Sequence, residues 1–425
     1  MLYNINIFFF YSSVLLFFPS LIARAIPNYF FFTLSYELIL YLLLLLNALV
    51  LLRKKTIVLF IVFFLITLIP YFLYSNNFFN YLIGVRFYLK IMAFMSIAYI
   101  VMDKIDMAHM SKVFKYLVFI LVVAAIMQLI LGNYYIVNIG GTFTKSIVDT
   151  TLTAAGGLGQ GRLPLVGLLG NYNSFGLVAL FLFLIYFYSN NSRERTIYLV
   201  LLFFFIVFSY SRASFILFLI FIFLNYFYFF NLKKKISLIS LFLIIIIIYY
   251  FSIFTADIDI SKAYIENGFE RVLYSFNYNN LMYSISEKAR LWLVSVFGIQ
   301  VNLDYGFLGA GVAKYGNKII YISDPEIYIR YGVNLAFDND SSLGVMLAQI
   351  GFFGILFLFF IINIYYKKFI VYKEFRYPLL ILLFFMSFIS VGFFDTLISL
   401  LFFLYLPVFI YVYTKTYKGE KCVVS

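Results

Sequence analysis

The sequence predicts an all-α polytopic membrane protein, and two observations carry the prediction. The 425-residue chain is 65% hydrophobic and only 12% charged, whereas soluble domains carry about 25% charged residues. Apolar runs of about 18 residues or more, the length that crosses ~30 Å of hydrocarbon, also recur along the chain. The period-2 alternation typical of transmembrane strands is absent from the sequence.

Hydropathy and loop charge predict about twelve membrane-spanning helices in one polytopic domain that covers residues 1–425. Their approximate limits are 7–26, 33–52, 56–74, 82–102, 113–131, 165–188, 196–211, 213–231, 236–254, 341–364, 377–394 and 397–414. The first run has no recognisable cleavage site, so we interpret it as a retained helix. Residues 196–231 are too long for one span and therefore predict a helical hairpin with its turn at 209–214.

Every basic cluster follows an even-numbered span, and the six clusters occupy 53–55, 104–112, 193–195, 233–235, 367–376 and 415–421. Because basic loops stay in the cytoplasm, this alternation places both termini there. The same clusters account for the net charge of +13 without a nucleic-acid partner. The single cysteine, Cys422, excludes an intrachain disulfide.

Two long segments fall on the outer side. Residues 132–164 form a smaller, Gly-rich loop, and residues 255–340 form a large loop with most of the acidic residues. Loops longer than about 15 residues are usually functional. The large loop contains the amphipathic stretch "SEKARLWLVSVFGIQV", which predicts a short helix at the membrane surface with Trp292 as its interfacial anchor.

Four arginines lie on the outer side, where basic residues are disfavoured: Arg86, Arg162, Arg212 and Arg290. The guanidinium group binds phosphate through a planar fork, so their convergence would suit a diphosphate on a lipid carrier. Snorkelling and structural ion pairs are the alternative interpretation.

Polar residues accompany these arginines in two motifs. In "GNYNSFG", Asn171 and Asn173 either hydrogen-bond a sugar or join helices. In "FDNDSSLG", Asp340 or Ser341 is a helix cap, which leaves Asp338 as a candidate general base. We expect no metal and no cofactor, because nucleotide sugars and ATP are on the other side of the membrane and His109 is in a cytoplasmic loop.

Together these motifs resemble the O-antigen polymerase and O-antigen ligase superfamily. The resemblance covers residues 130–360 and rests on the Arg before "GNYN", on "YSRAS", on "SEKARLWL…GFLGAGVAKYG" and on "DNDSSLGVMLAQIGFFG". It implies a GT-C-like lipid-linked glycosyltransferase of the bacterial inner membrane with a periplasmic active site and no metal. Its donors would be glycans on undecaprenyl diphosphate delivered by a flippase, and a chain-length regulator is a further expected partner.

Ligases of this superfamily usually carry a histidine at the position that matches Asp338, and the aspartate therefore favours a polymerase. In the predicted mechanism Arg212 and Arg290, with Arg162, bind the donor diphosphate. Arg86 holds the second carrier, and Asp338 accepts the proton of the acceptor hydroxyl. The alternatives are an O-antigen ligase that transfers glycan to lipid A-core and a polysaccharide flippase or transporter.

Overall fold

The computed structural model describes residues 2–17, 29–51, 55–74, 78–131, 165, 169, 172–189, 193–209, 211–229, 299–312, 342–370, 373–389 and 396–416. Throughout this part of the chain the regular structure is helical. The helices are α1 (Leu2–Ser12, followed by a 3₁₀ turn, Ser13–Phe17), α2 (Tyr29–Leu51), α3 (Lys55–Tyr74), α4 (Phe78–Val101), α5 (Met107–Leu131), α6 (Tyr172–Phe187), α7 (Arg193–Phe208), α8 (Arg212–Phe229), α9 (Ile299–Asp304), α10 (Ser342–Phe369), α11 (Lys373–Ile389), α12 (Thr396–Leu400) and α13 (Leu406–Thr416). A π-helical turn, Leu401–Tyr405, joins the last two.

Five helical stretches among the described residues are long and apolar enough to cross a membrane. They are Ile57–Tyr74, Gly84–Val101, Met107–Leu131, Ser342–Phe369 and Thr396–Lys415. The protein is therefore a helical membrane protein, as the composition predicts. Each predicted span overlaps a described helix except 236–254, which lies outside the described residues, as do residues 18–26 of the first span, residues 390–394 of the eleventh, the loop 132–164 and the stretch around Trp292.

The helix packing separates a central pair of helices from a lipid-facing periphery. In the spanning stretch of α4, 89% of the residues are buried, and in the continuous helical segment α12–α13 the fraction is 83%. The corresponding stretch of α3 is only 28% buried, and Phe72 on α3, Leu49 on α2 and Ile130 on α5 are largely exposed. An apolar surface of this kind is unfavourable in water and matches hydrocarbon.

Pro407, which has no backbone N–H, accounts for the π-helical turn. Proline lacks an N–H, so the carbonyls of Phe402 and Phe403 lose the donor at residue 407 that a π- or an α-helical turn would use. Two tyrosines of α10 replace it: the Tyr365 hydroxyl donates to the Phe403 oxygen at 2.6 Å and the Tyr366 hydroxyl to the Phe402 oxygen at 2.7 Å. Backbone groups inside a membrane protein require such partners, and α10 is thereby fixed against the α12–α13 segment.

Buried amides also join the first helices. Asn6 of α1 and Asn47 of α2 exchange two hydrogen bonds of 2.9 and 2.8 Å, and Asn47 also donates to Ser96 of α4. Interhelical polar bonds of this kind contribute about 0.6–2 kcal/mol in membranes. They fix α1 and α2 beside α4, which carries the charged groups described next.

Candidate functional site: a charged cluster on α4 and a broken helix

Few of the residues that the sequence predicts for the site have described side chains. The guanidinium group of Arg86 is described, on α4. Arg212 is the first residue of α8 and Asn173 the second of α6, and only their backbone positions are described. The other predicted site residues lie outside the described part: Arg162, Asn171, Arg290, Asp338 and Asp340.

A buried ion pair lies one helical turn beyond Arg86. Lys90 of α4 is 5% exposed, and its Nζ lies 2.8 Å from Glu37 Oε1 of α2. The same Nζ donates to Thr396 Oγ1 of α12 at 3.0 Å. A lysine inside the apolar part of a helix bundle is unfavourable unless a counter-charge and hydrogen bonds accompany it. Glu37 and Thr396 supply both from two other helices.

Arg86 has a different environment. Its guanidinium carbon lies 5.0 Å from the centre of the Phe87 ring, a cation–π distance, and its Nε is buried with no hydrogen-bond partner. Among the described residues no carboxylate lies within 4 Å of this guanidinium group. The adjacent contact is to the backbone, because the Tyr41 hydroxyl donates to the Arg86 carbonyl oxygen at 3.3 Å.

Among these described groups two cations therefore face one carboxylate. The sum of Arg86, Lys90 and Glu37 is one excess positive charge in a low-dielectric region, where an uncompensated charge is costly. Polar donors that remain unpaired at such a place favour an anionic ligand, and a guanidinium group is suited to phosphate oxygens. Chemically, the cluster can bind and neutralise an anion.

A second feature is the break in α10. Gly351 has φ 65° and ψ −177°, a conformation that is essentially restricted to glycine, and it divides the helix in two. Residues 299–312 pack into the break: Ala310 N donates to the Ala348 oxygen at 2.7 Å and Gly311 N to the Gln349 oxygen at 3.0 Å. The α10 carbonyls at the break thus recover N–H donors from residues 299–312, as membrane-embedded backbone requires.

The donor side of the break is satisfied by a side chain. Phe352 N would bond to the Ala348 oxygen in a continuous α-helix, and here it donates to Asn302 Oδ1 of α9 at 3.1 Å. The motifs "GFLGAGV" and "QIGFFG", which are about 40 residues apart in the sequence, are therefore one structural unit. This unit lies at the beginning of α10, directly after the stretch that contains Asp338 and Asp340.

Helix α4 connects the charged cluster to this broken helix. Gly84 is packed so closely against the Val312 carbonyl that a Cβ atom would overlap it. One turn later, the Tyr88 hydroxyl donates to Gln349 Oε1 of α10 at 2.8 Å. Gly84 and Tyr88 share one face of α4 because they are four residues apart, and Arg86 and Lys90 share another. One helix therefore positions the cations relative to α10.

The predicted hairpin is present as α7 and α8, and it contacts the beginning of α6. Ser211 caps α8, since its Oγ accepts the Ser214 N–H at 3.3 Å. A Cβ atom on Gly176 would lie 2.6 Å from both Ser209 Oγ and Ser214 Oγ. The "GNYNSFG" and "YSRAS" motifs therefore meet, which brings the backbone of Arg212 close to the helix turn that carries Asn173.

The segment that precedes α6 also reaches this hairpin. Leu165 N donates to the Phe208 oxygen at the end of α7, at 3.1 Å. Leu165 is three residues after Arg162 in the sequence, and Arg162 itself lies outside the described residues. Helix α6 also packs against α12, whose first residue, Thr396, bonds Lys90. A continuous set of contacts therefore links the hairpin to the charged cluster on α4.

Several charged groups elsewhere have close partners, whereas Arg376 of α11, which is 5% exposed, has a buried Nε with no hydrogen-bond partner. Lys115 and Glu194 form an ion pair of 2.5 Å, and Arg195 donates to the carbonyls of Tyr186 and Phe187 at the end of α6. These groups line a cavity of about 160 Å³ between α5, α6, α7 and α13. Because Lys115 pairs with Glu194 and Arg195 caps the end of α6, these two residues provide control positions for experiments on the cluster.

Asp103 forms a further contact between helix ends. It follows α4 and accepts hydrogen bonds from the Tyr411 hydroxyl at 2.8 Å and from Lys415 Nζ at 3.4 Å. The Tyr411 hydrogen bond, with Lys415, holds the pKa of Asp103 below its usual value. The contact ties the end of α4 to α13.

Sequence analysis did not select Lys90, Glu37 or Thr396. A signal was present, because a single ionisable residue in an otherwise apolar span is by default a functional candidate. Lys90 follows Arg86 by four residues in "VRFYLKIMAF", and Glu37 is the only charge in "TLSYELILYL". Their pairing could not be seen, since it joins helices that are distant in sequence.

Comparison of this chain with protein-family models, with curated proteins and with solved structures finds no match.

Proposed function

We propose that this protein polymerises oligosaccharide repeat units carried on undecaprenyl diphosphate into O-antigen or capsular polysaccharide on the outer face of the bacterial inner membrane. The observation that carries the proposal is the Arg86 guanidinium group, which lies beside Lys90 in a helical membrane protein and has no carboxylate partner among the described residues. A lipid-linked diphosphate supplies the missing anion at membrane depth. The motif resemblance favours the same substrate class.

The proposed reaction transfers a glycan from one lipid carrier to another. The acceptor hydroxyl oxygen attacks the anomeric carbon of the donor, the bond from that carbon to the diphosphate breaks, and the diphosphate leaves with the electron pair. Asp338 takes the hydroxyl proton. Arg212, Arg290 and Arg162 stabilise the charge that develops on the leaving diphosphate, and Arg86 holds the second carrier.

The contacts of the described residues support this arrangement in two ways. The α7–α8 hairpin, in which Arg212 is the first residue of α8, meets the start of α6 near Asn173 and accepts a hydrogen bond from Leu165. The beginning of α10, next to Asp338 in the sequence, is bonded to α4 through Tyr88 and Gln349. The twelve-span, GT-C-like architecture and the outer location of the active site belong to the same proposal.

The decisive test is polymerisation by purified protein in detergent with a defined lipid-linked repeat unit. We expect a ladder of lipid-linked chains on a gel, and we expect Arg86→Ala to abolish it. Lys115→Met is the matched control, because it removes a cation that pairs with Glu194 and does not belong to the α4 cluster. This variant should leave the ladder intact. A wild-type protein that forms no polymer while transferring glycan to lipid A-core would be a ligase.

The same assay distinguishes a polymerase from a transporter. A ladder formed without a bilayer cannot come from transport alone. In cells that lack the protein, single repeats on the lipid core would indicate a lost polymerase, whereas unligated long chains would indicate a lost ligase. If Arg86→Ala, Arg212→Ala and Asp338→Ala all retain full ladders at normal protein levels, the proposed mechanism is wrong.

A further inference from the structure

The Glu37–Lys90 pair has features that a purely structural ion pair does not need. Both partners could be replaced by apolar residues without loss of stability, because a buried ion pair rarely stabilises more than a well-packed hydrophobic pair. This pair also lies one turn from Arg86, which has no carboxylate partner in the described part of the chain. The pair therefore belongs to an arrangement with an excess of cations.

Arg86 and Lys90 are presented together by α4. Residues four apart are on one helix face and about 6 Å apart along the axis. The ring of Phe87 lies against both, with centroid distances of 5.0 Å to the Arg86 guanidinium carbon and 5.2 Å to Lys90 Nζ. Two cations at this spacing can each face one phosphate of a diphosphate, whereas a single phosphate engages one of them at a time.

Glu37 can leave Lys90 more easily than Lys90 can leave the helix core. The Glu37 side chain is 20% exposed and the Lys90 side chain only 6%. When Glu37 moves away, Lys90 retains the hydrogen bond to Thr396 Oγ1 at 3.0 Å and the Phe87 ring. The ammonium group is thus held in position for a second anion, and a diphosphate brings more negative charge than one carboxylate.

We propose that Arg86 and Lys90 form one binding site for the diphosphate of a polyprenyl-linked substrate, and that Glu37 is an internal competitor that occupies Lys90 while the site is empty. The natural ligand rests on the proposed function, since the lipid-linked repeat is its substrate. The exchange of Glu37 for the diphosphate involves no covalent step. Between catalytic cycles the Glu37 carboxylate would serve as the counter-charge of Lys90 inside the membrane.

The test is equilibrium binding of farnesyl diphosphate to the full-length protein in detergent, with farnesyl monophosphate, inorganic pyrophosphate and farnesol as comparison probes. We expect farnesyl diphosphate to bind more tightly than any of the three. Equal affinity for the monophosphate would overturn the two-cation site. Equal affinity for inorganic pyrophosphate would show that the lipid is not recognised and would overturn the polyprenyl assignment.

Variants of Glu37 and Lys90 separate a binding role from a structural one. Glu37→Gln removes the competitor and should tighten farnesyl diphosphate binding about tenfold or more, which corresponds to about 1.4 kcal/mol. The double variant Glu37→Gln/Lys90→Met removes both charges, buries no unpaired ion, and should melt like the wild type while binding about tenfold more weakly. A structural pair predicts wild-type binding in the double variant and no gain in Glu37→Gln.

Lys415→Met is the control for a general loss of positive charge, because Lys415 pairs with Asp103 and is 60% exposed. Its farnesyl diphosphate affinity should equal that of the wild type. Full polymerisation by the double variant would overturn the Arg86–Lys90 site and leave the proposed function intact. Conversely, the expected binding pattern without polymerisation of any lipid-linked repeat would retain the site and overturn the polymerase.

Discussion

Replacement of Gly351 by alanine tests whether the loop segment 299–312 holds the break in α10. A Cβ atom at residue 351 would overlap the Phe307 carbonyl oxygen and would lie 2.6 Å from Gly309 N and from the Leu308 carbonyl carbon. All three are backbone atoms, so a side-chain rotation cannot relieve the contact. The variant must displace the whole segment from α10.

The magnitude follows from what is lost. The backbone conformation at φ 65° and ψ −177° costs a non-glycine residue about 1–3 kcal/mol. Displacement of the segment also removes the hydrogen bonds from Ala310 N and Gly311 N to α10. Each loss costs about 1–3 kcal/mol if its buried carbonyl stays unpaired. We therefore expect Gly351→Ala to destabilise the protein by about 3–9 kcal/mol.

Gly306→Ala is the matched control. Gly306 has φ 64°, almost the same as Gly351, but a Cβ atom there would have nothing within 4 Å. Only left-handed strain remains, which costs about 1–2 kcal/mol. The measurement is the apparent melting temperature in detergent, by loss of the monodisperse peak in size-exclusion chromatography after heating. Equal melting temperatures for the two variants would refute the docking of residues 299–312 against α10.

Three further predictions concern other contacts. Tyr366→Phe leaves the buried Phe402 carbonyl without its donor and should lower the unfolding free energy by about 1–3 kcal/mol. Adding Pro407→Ala restores a backbone N–H and should recover part of the lost stability. No recovery would refute the assignment of the π-helical turn to Pro407. Lys90→Met leaves the Glu37 carboxylate, whose side chain is 20% exposed, without its counter-charge and should cost about 3–5 kcal/mol, measured as a lower melting temperature. A double variant with Glu37→Gln that melts no higher would contradict the ion pair. The pKa of Asp103 is lowered mainly by the Tyr411 hydrogen bond, so its contribution is present above the unfolded pKa of about 3.9 and is lost as pH falls through the folded pKa. Asp103→Asn should therefore melt lower than the wild type at pH 7, by less than about 1 kcal/mol in stability, with the gap closing below about pH 4; a gap that widens in acid would be inconsistent with this contact.

Sequence analysis predicted the positions of the helices well because a membrane imposes one simple rule on every span. About twenty apolar residues must form internally bonded backbone, so run length and flanking charge suffice to locate a helix. The turn between α7 and α8 was predictable for the same reason, since 196–231 exceeds one span and contains only one polar interruption. The break at Gly351 was not predictable, because a glycine inside an apolar run looks the same in a continuous helix.

The candidate site was predictable only in part. Arg86 was selected because an arginine near the outer end of a span has no ordinary reason to be there. Glu37 and Lys90 carry the signal of an ionisable residue in an apolar span, but nothing in their segments or around Thr396 indicates that the three residues meet. Their relation depends on how three helices pack, and helix packing depends on side-chain shapes that a hydropathy pattern does not contain.

By itself, the sequence determined that this chain folds as helices in a membrane, and it predicts several arginines and aspartates near the ends of its spans. Only the tertiary structure decided which charges are compensated. It pairs Lys90 with Glu37 and leaves Arg86 without a carboxylate within the described part of the chain. The physical reason is that hydrophobicity acts on each segment separately, whereas an ion pair between helices forms only where packing brings distant residues within about 4 Å.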